Sequence, residues 1–367
     1  MKKIISAILF AVLLFGLSPI VYAQDSAKAS VVINGDTGEV LYQKNAEERL
    51  AFASTTKIMT ALLLCEKFPD LESVIRVSGN AANTEGTKLG LKAGDTVKAY
   101  DLLYGMMLPS GNDAANAAAE AVSGSIESFV SLMNRRAHEM GLKNTHFDTP
   151  SGLDGKSHYT TALDLARLTR IAMQNEEFKK AAATKSITLN FGENDTAHYL
   201  KNHNRLLFMY DDVIGVKTGF TKRAGRCLVS AAQRDGKYVI AVTLNDKNDW
   251  ADHRALLDKG YSLLGTKKRV KAVKDCVLPL SGGEKITLCL PQYNYFALKD
   301  INISEKIYLP RFLYRPIKKG EELGEIEYFA DYKFAKKFSI KADKDIPAEE
   351  YTKKERFFTY LRMIIRI

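Results

Sequence analysis

The chain of 367 residues is poor in the markers of several common chemistries. It has six histidines, and His198 and His203 stand five apart rather than at the i, i+4 spacing of a zinc-binding helix. No His-Glu-x-x-His occurs, so no metal is expected, no other cofactor is implied, and no histidine is assigned to catalysis. A glycine-rich phosphate loop is missing, and so is any nucleic-acid motif, which argues against nucleotide chemistry and against a DNA or RNA partner. Beyond the N-terminus no stretch is apolar and long enough to cross a bilayer. Cysteine is scarce, with four in the whole chain. Cys65 follows an apolar helical run and Cys227 lies in an expected strand, so both read as buried thiols. Cys276 and Cys289 flank a hairpin turning at Gly282-Gly283. A turn centred there places 276 opposite 289, which leaves a bridge between them open.

What is present describes a folded, exported protein. Hydrophobic residues make up 46% and charged residues 26%, proportions of a globular chain long enough for two domains. Met1-Lys2-Lys3, the apolar run Ile4 to Leu17, Pro19 and the small-residue site ending at Ala23 form a signal peptide over residues 1–23. The alternative is an uncleaved N-terminal anchor, since residues 4 to 23 just reach across a bilayer. The net charge of +10 becomes +8 once Lys2 and Lys3 leave with the signal. Such a surface suits anionic lipids or wall polymers, or simply solubility.

The remainder divides by pattern. Ala29 to Asn34 and Val40 to Gln43 flank Gly35-Asp36-Thr37-Gly38 as an N-terminal hairpin. Ser54 opens a helical stretch that runs on to Lys67, and further helices are expected over 100–108, 113–122 and 126–140. The last of these closes at Gly141, and another starts at the capping pair Thr161 and Asp164. Strands follow at 186–191, 226–233 and 238–244, the last two joined by Arg234-Asp235-Gly236-Lys237, and a helix over 252–264 closes the unit. Strands at both ends around a helical middle give an α+β fold with an antiparallel sheet over residues 24–266. Residues 267–348 carry short alternating runs and read as a small all-β domain suited to spacing or contact. The tail 349–367 is an amphipathic helix: Phe357, Phe358, Leu361, Ile364 and Ile365 share one face, and Arg362 and Arg366 lie opposite. It is too short and too charged to span a bilayer and suits lying in its interface; the alternative is a helix docked on the protein's own core.

Three strings carry the chemistry: Ser54-Thr55-Thr56-Lys57, Ser110-Gly111-Asn112 and Lys217-Thr218-Gly219. A serine hydroxyl needs a base before it attacks. Lys57, three residues on from Ser54, can be that base once burial or a neighbouring cation lowers its pKa, and Lys217 can be that cation. Alone, Ser54 would read as a helix cap, Pro109-Ser110-Gly111-Asn112 as a turn and Lys217-Thr218-Gly219 as a solvated strand end. Together and in this order they form the Ser-x-x-Lys, Ser-x-Asn, Lys-Thr-Gly set of penicillin-reactive serine enzymes.

On these motifs, and on Gly215 to Gly225 around the third, the chain resembles the D-alanyl-D-alanine carboxypeptidases, the low-molecular-mass penicillin-binding proteins. The resemblance implies a β-lactamase/transpeptidase-like catalytic domain, with its sheet flanked by helices. Ser54 would be the acyl-ester nucleophile, Lys57 the general base and Ser110 the proton relay. Asn112, Lys217, Thr218, Gly219 and Phe220 would bind substrate, with the Phe220 and Ser54 N–H groups as the oxyanion hole. The implied partners are a peptidoglycan stem peptide ending in D-Ala-D-Ala, β-lactam antibiotics and the outer surface of the cytoplasmic membrane through the C-terminal helix. Gly111 departs from the aspartate of many β-lactamases. The Glu-x-x-Leu-Asn of class A enzymes is absent between Asn112 and Lys217, which favours peptide trimming over fast β-lactam hydrolysis. A D,D-endopeptidase and a catalytically idle penicillin-binding scaffold are the alternatives.

Overall fold

The computed structural model describes residues 25–192, 195–265, 267–270, 276–280, 285–291, 293–297, 301–314, 316–331 and 333–347. The expected signal peptide and amphipathic tail lie outside these residues. The strands in chain order are β1 Ala29–Asn34, β2 Val40–Lys44, β3 Val74–Arg76, β4 Thr96–Lys98, β5 Ser186–Phe191, β6 Thr196–Lys201, β7 Val213–Thr221, β8 Gly225–Arg234 and β9 Lys237–Leu244. The helices are α1 Lys57–Lys67, α2 Gly79–Ala82, α3 Ala99–Met107, α4 Asn112–Ser123, α5 Ile126–Glu139, α6 Ala162–Ala172, α7 Glu176–Ala183, α8 Leu206–Met209 and α9 Asp249–Leu263.

The central sheet has five strands in the order β2-β1-β9-β8-β7, with antiparallel neighbours throughout. The N-terminal hairpin therefore joins the last strands of the unit, as the α+β reading expects. Asp235 and Gly236 both take positive φ, 51° and 77°, which closes the β8–β9 hairpin in the primed-turn geometry that suits twisted strands. α6 starts where the Thr161 side chain accepts the Asp164 N–H. One face of the sheet buries Val31, Ile33, Val229 and Ile240 against the helices of the middle segment. The other buries Val32, Leu228, Val239 and Ala241 under Leu256, Leu257 and Tyr261 of α9. Both faces are covered, so β8 and β9 carry nearly continuous buried runs instead of alternation. At the end of the order β7 has β8 as its only strand neighbour among the described residues.

The C-terminal region is all β: β10 Lys267–Val270, β11 Cys276–Pro279, β12 Lys285–Leu288, β13 Tyr293–Phe296, β14 Ile303–Tyr308, β15 Glu322–Ala330 and β16 Lys333–Lys341. The strand β13, which the sequence pattern did not single out, pairs with β10. Its core gathers Tyr293, Tyr328, Ile326 and Ile340. The two regions meet where Asn34 donates to the Phe296 carbonyl (2.6 Å) and Arg170 to the carbonyls of Asp36 and Phe334.

The cysteine hairpin differs from its expected register. Cys276 stands opposite Leu288, not Cys289. A slip of one residue turns a strand's side chains to the other face, so the two sulfurs do not face each other and all four cysteines are free thiols. Burial pushes the Cys65 and Cys227 thiols up to about 12, which suits inert core residues.

Candidate active site

The three motifs converge where the entrance to α1 meets the open edge of β7. After Phe52 the chain makes a 3₁₀ turn over Ala53–Thr56 and only then enters α1 at Lys57. Ser54 thus sits in the tighter turn, not on the α-helix that the sequence suggested, and it caps neither element. Residues three apart eclipse in 3₁₀ geometry, which brings Lys57 Nζ to 3.1 Å from Ser54 Oγ.

Lys57 is fully buried. Its ammonium also donates to Asn112 Oδ1 and to the Ser151 carbonyl, both at 2.7 Å. With Ser54 Oγ these are three neutral acceptors, and no carboxylate touches the lysine among the described residues. Burial first, and the nearby charge of Lys217 second, hold its pKa well below the ordinary lysine value; Asp113 opposes them. This environment makes a lysine a base near neutral pH.

Ser110-Gly111-Asn112 links α3 to α4. Ser110 holds a left-handed φ of 68°, a conformation that costs a non-glycine residue energy and is common at functional sites. Its Oγ is buried with no hydrogen-bond partner among the described residues. Asn112 receives Lys57 on its oxygen and donates its amide to the Glu85 carbonyl (2.7 Å). Glycine at 111 has a packing reason. A Cβ there would lie 2.8 Å from Asp113 Oδ1 and 3.0 Å from Leu89 N.

The Lys-Thr-Gly string lies within β7, which continues to Thr221. Strand alternation puts Lys217 and Gly219 on one face, with Thr218 and Phe220 on the other. Lys217 is buried, and desolvation lowers its pKa to about 7. Gly219 packs directly on the serine turn, where a Cβ would meet Phe52 O and Ser54 N, each at 3.0 Å. Phe220 is 67% exposed on the opposite face.

Several supporting residues escaped the sequence reading. The buried Asp113 carboxylate accepts the N–H groups of Leu89 (2.7 Å), Gly90 (2.8 Å), Leu91 (3.1 Å) and Ala114 (2.9 Å). It thereby fixes the 85–91 loop, whose Thr87 carbonyl accepts the Asn112 N–H and whose Glu85 carbonyl holds its side chain. Gly152, at φ 88°, lets the loop that offers the Ser151 carbonyl pass within contact of Ala53 O. His158 stacks on Phe52 at 4.6 Å and accepts the Asp148 N–H on Nδ1, so Nε2 carries the proton and donates to Thr56 Oγ1 at 2.7 Å. Burial lowers its pKa to about 4 and keeps the ring neutral. His203, bonded through its N–H to the Leu108 carbonyl, lies close enough to Lys217 for that charge to depress its pKa further, burial being the larger cause. The only sequence hints were the turn residues of Thr149-Pro150-Ser151-Gly152, which mark a loop without revealing what its carbonyls touch. Among the described residues no group of three His, Cys, Asp or Glu side chains could hold a metal ion.

A hydroxyl beside a buried amine, a second buried hydroxyl without a partner among the described residues and a strand edge stand together at this site. Residues 19–248 match the sequence profile of the peptidase S11 family, D-alanyl-D-alanine carboxypeptidase. The chain belongs to that family and is a serine-type D-Ala-D-Ala carboxypeptidase of peptidoglycan metabolism. Among its relatives, D-alanyl-D-alanine carboxypeptidase DacF of Bacillus subtilis (strain 168) is 34% identical over 99% of this chain and 97% of its own length. DacC of Escherichia coli (strain K12) is 33% identical, covering 82% of this chain and 80% of its own. The crystal structure of the Streptomyces K15 DD-transpeptidase superimposes with a TM-score of 0.63 at 34% identity, over 65% of this chain and 98% of that one.

Proposed function

We propose that Ser54 removes the terminal D-alanine from peptidoglycan stem peptides through an acyl-enzyme. The substrate's C-terminal end lies along the free edge of β7 as an added strand. Lys57 takes the Ser54 proton as Oγ attacks the penultimate D-Ala carbonyl carbon. The carbonyl oxygen, now anionic, is held by the N–H groups of Ser54 and Phe220; the close approach of Gly219 to Ser54 N supports this pairing. Lys217 and Thr218 receive the terminal carboxylate, and Asn112 orients the peptide. When the C–N bond breaks, the Ser110 hydroxyl gives its proton to the leaving amine and takes the one held by Lys57, which leaves Lys57 neutral again, and D-alanine departs. Water then attacks the ester, Lys57 accepting its proton and returning it to Ser54 Oγ as the acyl C–O bond breaks. A β-lactam follows the first half of this path and acylates the same serine. The observation that carries the reading is the 3.1 Å contact between Ser54 Oγ and a lysine whose pKa burial holds well below the ordinary value.

The same reading places residues 24–266 as the catalytic domain and 267–348 as a spacer, exported by the signal and held at the outer face of the cytoplasmic membrane by the tail. The motifs and signal of the sequence support it. Among the described residues no helix is long and apolar enough to cross a membrane, and the amphipathic tail requires none. The test is D-alanine release from a stem pentapeptide by the chain without its signal, with Ser54→Ala alongside. Release by the wild type, and loss by roughly 10⁴-fold or more in the variant, is expected. A folded wild type that releases no D-alanine would refute the assignment, and labelled penicillin should mark only the wild type.

A further inference from the structure

The β15–β16 hairpin has two very different ends. At one, Ala330 pairs with Lys333 and Phe334 takes the hydrogen bond from Arg170 of the catalytic region. At the other, Glu322 pairs with Lys341. Each strand has nine residues, so the two ends are roughly 26 Å apart at about 3.3 Å per residue.

The segment 310–320 is fastened to that remote end. Gly320 N donates to the Ala342 carbonyl and Ala342 N to the Glu321 carbonyl, at 2.8 and 2.9 Å. Ile317 and Ile346 exchange both backbone hydrogen bonds, and Leu313 N bonds the Pro279 carbonyl. Leu313 and Ile317 are buried anchors in the β core. Between and beside them the segment turns outward: Arg311, Tyr314, Lys318 and Lys319 are exposed, Tyr314 by 69%. Tyr314 and Phe312 form an edge-to-face pair with centroids 4.8 Å apart. Glu321 accepts the Lys318 N–H and Asp345 the Lys319 N–H, and among the described residues no ion pair neutralises Arg311, Lys318 or Lys319.

Ile346, bonded to this segment, stands just before the last twenty residues of the chain, the stretch that holds the amphipathic tail. We propose that the outward face formed by Arg311, Phe312, Tyr314, Lys318 and Lys319 is a second membrane-contact surface, docking on anionic phospholipid beside the point where the tail leaves the β region. An exposed tyrosine beside a half-buried phenylalanine suits the interfacial layer, and exposed lysine and arginine are drawn to an anionic leaflet. Insertion of an apolar face and electrostatic attraction reinforce each other, and a contact at this end leaves the catalytic region on the far side of the hairpin. The inference rests on the membrane attachment proposed above.

The test uses the signal-free chain with its tail intact and vesicles of phosphatidylcholine with or without phosphatidylglycerol. Lys318→Gln/Lys319→Gln should weaken partition onto the anionic vesicles about tenfold. Phe312→Ala/Tyr314→Ser should weaken it further, and D-alanine release from a soluble peptide should stay unchanged in both. A Tyr314→Trp variant in a Trp250→Phe background should be quenched by brominated lipid. Variants that bind anionic vesicles as the wild type does would overturn the loop contact and leave the tail reading standing. A wild type that binds neither vesicle overturns both. If the variants instead alter sedimentation without lipid, the face joins two copies of the chain and the lipid proposal fails.

Discussion

The catalytic region and the β region differ most in what they bury. Every buried polar or charged residue among the described residues, tyrosine apart, lies at or before His253. That set includes Lys57, Lys217, Asp113 and His158. The β region buries aliphatic side chains and stacked tyrosines, such as Tyr293 on Tyr328 at 5.1 Å. Burying an amine is expensive, and each hydrogen bond to it offsets only part of the desolvation. Lys57 therefore settles toward its neutral form, which is the form a base requires. One region holds charged groups in an unfavourable interior; the other has an interior of aliphatic and tyrosine side chains.

Six substitutions sharpen this contrast, from the largest effect to the smallest. Lys57→Ala should lower kcat/KM by about 10² to 10⁴-fold, while Lys337→Ala, on an exposed ion pair of the β region, should change it less than about twofold. Steady-state kinetics on one peptide compares the two directly. Gly219→Ala places a methyl group against Phe52 O and Ser54 N, backbone atoms that cannot turn aside. The resulting shift of strand or turn should cost about 10²-fold in acylation, read as the rate of labelling by penicillin.

The pH dependence is a finer test, since it reads the field around Lys57. In the proposed mechanism Lys57 acts as the neutral amine, so kcat/KM should fall on the acid side as Lys57 gains a proton. The charge of Lys217 lowers the Lys57 pKa and that of Asp113 raises it. Lys217→Gln should therefore move the acid limb to higher pH, and Asp113→Asn should move it to lower pH. Limbs that stay in place, with only the plateau reduced, would mean that both residues act through structure alone. Smallest of all, Tyr293→Phe removes a buried hydroxyl that has no hydrogen-bond partner among the described residues. It should leave activity unchanged and raise stability to urea by up to about 1 kcal/mol; a clear loss of stability would reveal a bond to that hydroxyl.

Much of this was legible from local pattern. The longer helices α1, α3 to α6 and α9, the Asp235-Gly236 turn, the N-terminal hairpin and the strand bearing Lys217 each follow from periodicity or turn chemistry over a few residues, whereas α2, α7 and α8 went unread. Less legible was anything set by a partner far along the chain. Cys276 faces Leu288 because the strand register, not the position of the glycines, decides the pairing. Asp113 looks like an ordinary first-turn acid until the 85–91 loop closes over it, and Ser151 offers only a carbonyl, which every residue has.

The sequence by itself determined the three motifs, their order and the family, because a hydroxyl, an amine and a glycine keep their chemistry wherever they are placed. Only the tertiary structure decided their states. It buried Lys57 among three neutral acceptors, set Lys217 near enough to repel its proton, and left β7 at the sheet edge with Gly219 against Ser54. Desolvation and proximity depend on packing between segments far apart in the chain, and no local pattern encodes them.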